Sequence, residues 1–278
     1  SHHRVEVACP YFGPCNGCQW QHIDYQHQLE MKRALVVDAF QRVAGMADAP
    51  VAPVVPAPTS LHYRNHARFT VGPGGALGFV NREGRSFVPI QRCLLMHPWI
   101  NGALEQLQGR CKETTQVSVR YGINTGSWLV QPTLQNPDIP LSSGQKHYQE
   151  ALQGHNFRVA AASFFQVNTH QAEQIVSLVR DRLELRGTDL LVDAYAGVGT
   201  FALLLAPFVV RAHIRRAWDA PLIRSALLGG SLYAVHFGAW VASLELISVA
   251  ASVTLVTATP LFLALVALGT GRVTDVSA

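Results

Sequence analysis

Apolar and polar positions divide the first part of the chain into one helix and a series of short strands. Between Tyr25 and Val43 the apolar residues Leu29, Val36, Phe40 and Val43 share one helical face, and Gly45 supplies a stop. A Pro- and Ala-rich linker follows at 49–58. The next apolar runs are short, rich in strand-forming residues and separated by turn residues. They are His66–Val71, Leu77–Val80, Ser86–Ile90, Gln116–Tyr121 and Ser127–Gln131, and they predict a small, mostly antiparallel β subdomain.

A helix, a strand and a glycine turn are predicted farther along the chain. From Thr169 to Leu185 apolar residues recur on one helical face, and Gly187 ends the segment. Asp189–Asp193 reads as a short apolar strand, the next residues contain Gly197 and Gly199, and Phe201–Ala206 reads as a helix. In doubly wound α/β sheets such a turn lets the backbone approach a nucleotide-like ligand. The third glycine of the dinucleotide fingerprint is missing, which favours S-adenosylmethionine over a nicotinamide cofactor. The helical face consists of Ala172, Ile175, Val176, Val179 and Leu183.

The C-terminal segment has a different pattern, with two long runs that carry no formal charge. They are Ser225–Leu244, with 20 residues when His236 is neutral, and Leu246–Gly271, with 26 residues. Each run is long enough to span a bilayer, which takes about 20 residues. Arginines flank the pair, which predicts a membrane hairpin with both ends cytoplasmic. Two buried helices of a soluble protein are the alternative. The flanking residues are Arg211, Arg215, Arg216, Arg224 and Arg272.

Charge alone does not identify a partner. The formal net charge of +4 is too small to establish nucleic-acid binding. The chain has 19 Arg and three Lys, and Arg is the better bidentate phosphate binder; codon composition would produce the same skew. Ser1 to Cys9 contains no apolar core segment. We therefore expect no signal peptide and a cytoplasmic location.

Three cysteines lie close together, as Cys9-x5-Cys15-x2-Cys18. Proline and glycine between them suit a turn-rich loop from which several thiolates reach one centre. Cys93 follows 75 residues after Cys18, at the end of a predicted strand. Four thiolates fit zinc or an iron–sulfur cluster, and the spacing does not choose between them. Free buried cysteines are the alternative, and Cys111 stands apart as a structural or surface residue.

The segment from Tyr63 to Phe69 combines aromatic and basic residues. Arg64 and Arg68 could hold phosphates, and Tyr63 could stack on an unpaired base. The segment is therefore a candidate RNA strip. An ordinary strand with its arginines in solvent is the alternative.

The run Cys9–His22 resembles the cluster loop of RNA uracil-C5 methyltransferases of the ribosomal-RNA branch. The resemblance implies that Cys9, Cys15, Cys18 and Cys93 hold a 4Fe–4S cluster with a structural or RNA-positioning role. The Tyr-Arg-Asn-x-Ala-Arg-Phe string at 63–69 resembles a strand of the same family. It favours substrate handling by Tyr63, Arg64 and Arg68.

Phe164–Asn168 resembles the Phe-x-Gln-x-Asn segment of that family, which implies that Gln166 touches the cofactor. By the same resemblance, Tyr195 packs on the adenosyl group, and Gly197 and Gly199 allow close backbone approach. Thr200 stands where many members have Asn. For Gln166, capping of the following helix is the alternative role.

The resemblance ends near residue 208. The family's nucleophilic Cys and its base Glu fall in the segment that this chain replaces, so the catalytic residues are unknown. The sequence has no Cys after Cys111, and Glu245 is the only Glu after Glu184. Residues 236–244 and 248–253 resemble the drug/metabolite transporter family instead. We interpret the tail as an unrelated piece joined near Val209, by gene fusion or by sequence misassembly.

The expected fold class is α/β, the first half of a doubly wound S-adenosylmethionine-dependent methyltransferase domain with additions at both ends. The implied domains are 1–48 (iron–sulfur loop and helix), 59–155 (central β-rich, RNA-binding), 156–208 (N-terminal part of the methyltransferase domain) and 209–278 (apolar helical hairpin). The expected function is uridine C5 methylation of structured RNA, 23S ribosomal RNA in this branch, by a monomer that is catalytically incomplete as written. If the hairpin forms, the chain also associates with a membrane. The alternatives are a non-catalytic iron–sulfur RNA-binding module and a membrane protein fused to this soluble part.

Overall fold

The computed structural model describes residues 2–15, 17–81, 84–184, 193, 196–205, 224 and 228. The chain divides into two compact units, Ser1–Ile214 and Arg215–Ala278. Arg224 and Leu228 are the described residues of the second unit. The predicted C-terminal hairpin therefore lies outside the described residues. Within the part of the chain that is described, no helix is long and apolar enough to cross a membrane.

Three helices and seven strands form the first unit within the described ranges. The helices are α1 (Tyr25–Arg42), α2 (Pro98–Leu107) and α3 (Thr169–Leu183), and residues 200–205 are also helical. The strands are β1 (His66–Val71), β2 (Leu77–Val80), β3 (Phe87–Pro89), β4 (Gln116–Tyr121), β5 (Trp128–Gln131), β6 (His147–Leu152) and β7 (His155–Ala160).

Strands β1 to β5 form one antiparallel sheet in the order β3-β2-β1-β4-β5. The pairing of β1 with β4 runs from His66 opposite Arg120 to Thr70 opposite Gln116. Because side chains alternate along a strand, Ala67 and Phe69 point to the opposite face from His66 and Arg68. The face that carries Ala67 and Phe69 is covered by apolar residues of α2, and together they form the main core. The five predicted strands thus form an antiparallel sheet as expected, with β3 and β5 slightly shorter than predicted.

A second, two-stranded sheet consists of β6 and β7, with Tyr148 opposite Val159. Its apolar side packs with Phe165, with α3 through Ala172 and Val176, and with the helical residues 200–205 through Leu204. Helix α2 and strands β6 and β7 do not appear among the elements predicted from the sequence.

Two helices differ from their predictions. In α1 only Leu29 of the predicted apolar face is buried, whereas Val36, Phe40 and Val43 are exposed. Helix α3 ends at Leu183, and Glu184 has a left-handed φ of 44°. The strand predicted at Asp189–Asp193 lies outside the described residues except for its last position. The two sheets that are described are both antiparallel.

Candidate functional site

Cys9, Cys15, Cys18 and Cys93 line one cavity of about 200 Å³. The Cys9 loop is a tight turn in which the Cys15 amide donates to the Tyr11 carbonyl at 2.8 Å. All five cysteines of the chain are described, and none forms a disulfide. The structure therefore brings the distant fourth cysteine to the same cavity as the clustered three.

The cysteines share this cavity without forming a ligand shell. In the described part of the chain, no group of three or more His, Cys, Asp or Glu side chains is arranged to hold a metal ion. The two observations are compatible, because lining a cavity needs only a common opening, whereas ligation needs sulfur atoms at about 2.3 Å from one ion. The donor set still fits the predicted group: four sulfurs are accompanied by Arg64, Arg92 and apolar side chains, without an imidazole or a carboxylate among the lining residues.

Neighbouring elements hold this cysteine loop in place. The Asn101 side chain, on α2, accepts from the Cys93 amide at 2.9 Å and donates to the Cys93 carbonyl at 3.0 Å. The Tyr11 hydroxyl accepts from the Gln91 amide at 2.9 Å, which ties the loop to the segment after β3. Sequence reasoning missed Asn101, because nothing in the sequence links it to Cys93 before α2 is known.

Burial raises the pKa of the Cys18 and Cys93 thiols above the ordinary value. Without a cation in the cavity the protonated thiol is therefore favoured at both positions. A metal centre would reverse this preference, because its positive charge stabilises the thiolates.

Cys111 lies elsewhere, fully buried in the main core. Its Sγ is 3.4 Å from the Leu107 carbonyl oxygen. Burial, with a smaller contribution from Glu113, raises the pKa of Cys111 to about 11. A buried thiol with this pKa is a poor nucleophile at neutral pH, so the residue is structural.

The predicted RNA strip divides in two. Tyr63 and Arg64 line a cleft of about 850 Å³ together with Trp20, Tyr25 and Lys32. Arg64 also lines the cysteine cavity, so its side chain borders both spaces. Arg68 is exposed farther along β1, where its guanidinium donates twice to Gln116 Oε1, at 2.9 and 2.6 Å. Tyr63 and Arg64 are thus brought together in the cleft, whereas Arg68 does not line it.

His66 shares one face of β1 with Arg68, and its Nε2 is 3.1 Å from the Ser118 hydroxyl. Burial lowers the pKa of His66 to about 4, and the charges of Arg120, Arg64 and Arg68 add to this effect. The imidazole is therefore neutral at physiological pH.

The predicted cofactor segment leads into α3. The Gln166 side chain is exposed, and the Phe165 ring beside it is buried. Asn168 is the N-cap of α3, since its side chain accepts from the Gln171 amide at 3.1 Å. The capping role considered for Gln166 thus belongs to Asn168, and the Gln166 side chain remains available to a ligand.

The glycine turn lies against the apolar cluster that contains Phe165. Gly197 and Gly199 have φ values of 55° and 81°, which glycine adopts without strain. Helical residues follow from Thr200 to residue 205. Leu204 is buried in one cluster with Phe165, and Val198 and Phe201 pack against that cluster. The two predicted parts of the cofactor site therefore border one apolar cluster, while Tyr195 lies outside the described residues.

The chain is similar to RNA methyltransferases in sequence. It is 27% identical to an uncharacterized RNA methyltransferase of Nostoc sp. over 86% of this chain and 63% of that protein. It is 29% identical to one of Synechocystis sp. over 73% of this chain and 56% of that protein. The chain thus spans about three-fifths of the length of these relatives. No protein-family model matches it.

The fold is similar to that of a solved methyltransferase. The crystal structure of Pyrococcus abyssi tRNA (uracil-54, C5)-methyltransferase in complex with S-adenosyl-L-homocysteine matches with a TM-score of 0.56 and 24% identity. The match covers 69% of this chain and 56% of that one. In sequence this chain is similar to RNA methyltransferases, and in fold it is similar to a tRNA (uracil-54, C5)-methyltransferase.

Proposed function

We propose that the chain derives from an RNA uridine C5 methyltransferase that uses S-adenosylmethionine as methyl donor and structured RNA, specifically 23S ribosomal RNA, as substrate, and that the 278-residue chain itself is catalytically incomplete. One observation carries the proposal. In a chain that is similar to RNA methyltransferases, Phe165 beside Gln166 and Val198 of the glycine turn pack in one apolar cluster. The resemblance of the Cys9–His22 loop to the ribosomal-RNA branch supports the choice of RNA.

The cleft beside the cysteine loop is the proposed RNA-binding surface. Trp20 and Tyr63 offer rings for stacking on unpaired bases, and Arg64 and Lys32 offer positive charge to phosphates. Enzymes that modify a base in structured RNA take that base out of its stack. A cleft with aromatic and basic walls suits a loop nucleotide in this state.

The cofactor would lie between the Gln166 segment and the glycine turn. The exposed Gln166 side chain would hydrogen-bond it, and the backbone at Gly197 and Gly199 would approach it closely, since neither residue has a Cβ. Tyr195 and Thr200 complete the proposed set. S-adenosylmethionine supplies the electrophilic methyl group when bound.

The cysteine cavity is the proposed 4Fe–4S site. Cys9, Cys15, Cys18 and Cys93 would hold the cluster, whose role would be to fix the N-terminal loop against β3 and α2. The all-sulfur donor set and the apolar lining residues Phe79 and Ile90 support this assignment. Zinc on the same four thiolates is the competing occupant.

Methylation of uracil C5 needs a thiolate that attacks C6 and a base that removes the C5 proton. Four of the five cysteines line the cavity, and Cys111 is buried. We therefore propose that the 278-residue chain binds its ligands but lacks the nucleophile.

A chain in which a complete family C-terminal half replaces the tail after residue 208 tests the proposed function. It is incubated with methyl-labelled S-adenosylmethionine and either unmodified 23S ribosomal RNA or unmodified transfer RNA, and the digested RNA is resolved into nucleosides. We expect label in 5-methyluridine and a strong loss of label with Gln166→Ala. Label in another nucleoside would contradict the proposal, and so would label confined to transfer RNA.

A further inference from the structure

Asn65 is a fully buried polar residue immediately before β1, with 1% of its surface exposed. Its backbone amide donates to the Val167 carbonyl at 2.9 Å, and its carbonyl accepts from the Tyr121 amide at 2.9 Å. Its side-chain amide Nδ2 donates to the Gln166 carbonyl at 2.9 Å and to the Thr169 hydroxyl at 3.0 Å. Asn65 therefore contacts three of the four residues from Gln166 to Thr169.

The hydrogen bonds continue beyond Thr169. Its hydroxyl donates to the Glu150 carboxylate at 2.8 Å. That carboxylate, fully buried on β6, also accepts from the amides of Ile123 and Asn124 at 2.9 and 3.0 Å. A buried polar chain thus joins β1, the start of α3, β6 and the turn between β4 and β5. Each member is costly to leave unpaired, because water cannot replace its partner.

We propose that Asn65 is a positioning residue that holds the cofactor-contacting Gln166 in place. This inference rests on the proposed function, because Gln166 is assigned to the cofactor there. The carbonyls of Gln166 and Val167 are both bound to Asn65, and Asn168 is fixed as the cap of α3. The Gln166 backbone is therefore anchored while its side chain stays exposed.

The chemistry of asparagine suits this position. Its one amide nitrogen supplies both donors, to Gln166 and to Thr169. Aspartate would present an oxygen in place of that nitrogen, opposite the Gln166 carbonyl. Alanine would leave the Gln166 carbonyl without this donor. The preceding residue, Arg64, lines the proposed RNA cleft, so Asn65 links the substrate side of the site to the cofactor side.

Hydrogen exchange of the full chain tests the mechanical part of the inference. In Asn65→Ala, amides in peptides covering 163–172 should exchange about tenfold faster, the size expected for a lost buried hydrogen bond. Thr169→Val removes the hydroxyl that bridges Asn65 and Glu150 without opening a large cavity. It should give a smaller increase in the exchange rate of the same peptides. It keeps the test available if Asn65→Ala does not fold.

Gln108→Ala is the matched control. The Gln108 side chain also bonds backbone groups, those of Leu77 and Ile90, but far from the cofactor segment. This variant should speed exchange near 77–90 and leave 163–172 unchanged. Unchanged exchange at 163–172 in both Asn65→Ala and Thr169→Val would overturn the inference.

Equilibrium dialysis with S-adenosylmethionine gives the functional readout. The dissociation constant should rise about tenfold in Asn65→Ala, matching one lost hydrogen bond, and stay unchanged in Gln108→Ala. Cofactor binding that is equal in parent and Asn65→Ala would overturn the positioning role. If the parent binds no cofactor while the exchange pattern appears as expected, the cofactor part of the proposed function fails and the anchoring of Gln166 by Asn65 stands.

Discussion

At the residue scale, the five cysteines fall into two environments. Cys9, Cys15, Cys18 and Cys93 are half-buried around a shared cavity, and Cys111 is enclosed in the core. A thiolate that binds metal must lose its proton and reach the ion. Only the first group has a common opening in which four sulfurs could meet one centre.

Substitution of single cysteines should separate these environments. Anaerobically purified parent protein should contain about four irons per chain and absorb broadly in the visible, as expected for a cluster with four Cys ligands. Cys93→Ser should lose both signals, because it removes one ligand. Cys111→Ser is the matched control and should keep them. Iron analysis and absorption spectra decide, and stoichiometric zinc without iron would refute the cluster.

His66 makes the stability of the fold depend on pH. Burial and three nearby arginines hold the pKa of His66 at about 4, below its ordinary value of 6.5. Between these two values the unfolded chain binds a proton at this residue and the folded chain does not. The contribution of neutral His66 to the free energy of unfolding should therefore be complete above pH 6.5. It should be lost progressively as the pH drops toward 4.

Removal of this imidazole tests that pH dependence. In His66→Gln the free energy of unfolding, measured by urea denaturation at a series of pH values, should fall less steeply between pH 6.5 and 4. The glutamine keeps a polar group beside Ser118. Parallel pH curves for the variant and the parent would contradict the assigned pKa.

At the element scale, the sequence predicted elements whose pattern is local and missed those whose pattern is weak. Strands β1, β2 and β4 have the bounds predicted from the sequence. In β1 and β4 buried positions alternate with more exposed ones over most of the strand, whereas the short β2 begins with two buried residues and ends exposed. Strand β6 carries a buried Glu150 at a core position, which hides the alternation. Helix α2 has Asn101 and Gly102 in its interior, both weak helix formers.

Of the candidate site, the sequence allowed prediction of the residues in local motifs and not of those that act through tertiary contacts. The cysteine set could be named because Cys is a rare residue and the loop spacing is distinctive. Asn65 and Glu150 could not be found, because their partners lie up to 104 residues away in the sequence. Their role depends on tertiary contacts that residue spacing does not encode.

Helix α1 allows a direct comparison of predicted and observed burial. Leu29 and Phe40 were both assigned to its apolar face, but Leu29 is 5% exposed and Phe40 is 39% exposed. Leu29→Ala should lower the free energy of unfolding by about 2 to 4 kcal/mol, as for other buried leucines. Phe40→Ala should cost less than about 1 kcal/mol. Equal losses in chemical denaturation would show that a further segment covers Phe40.

At the scale of the whole molecule, the cleft and the cofactor segment share one stretch of chain. Tyr63 and Arg64 line the proposed RNA cleft, and Asn65 binds the Gln166 segment, so residues proposed for the substrate and for the cofactor follow one another directly. Trp20 and Tyr25 also line this cleft. A change in this stretch is therefore expected to affect both proposed binding sites.

The last prediction is that the 278-residue chain does not methylate RNA. The transfer step needs a thiolate at uracil C6, and no cysteine is suited to this role. Four cysteines line the proposed cluster cavity, and the Cys111 thiol is buried with a pKa of about 11. The sequence after Cys111 contains no other Cys. Without the thiolate, C5 is not made nucleophilic, and the methyl group has no acceptor.

Transfer of labelled methyl groups from S-adenosylmethionine to unmodified ribosomal RNA measures this directly. The 278-residue chain should give background counts. The version in which a complete family C-terminal half replaces the tail after residue 208 should give 5-methyluridine. Cys111→Ser in the 278-residue chain should also give background counts. If the parent turns over and Cys111→Ser does not, Cys111 is the nucleophile, and its burial in the folded state must be relieved when RNA binds.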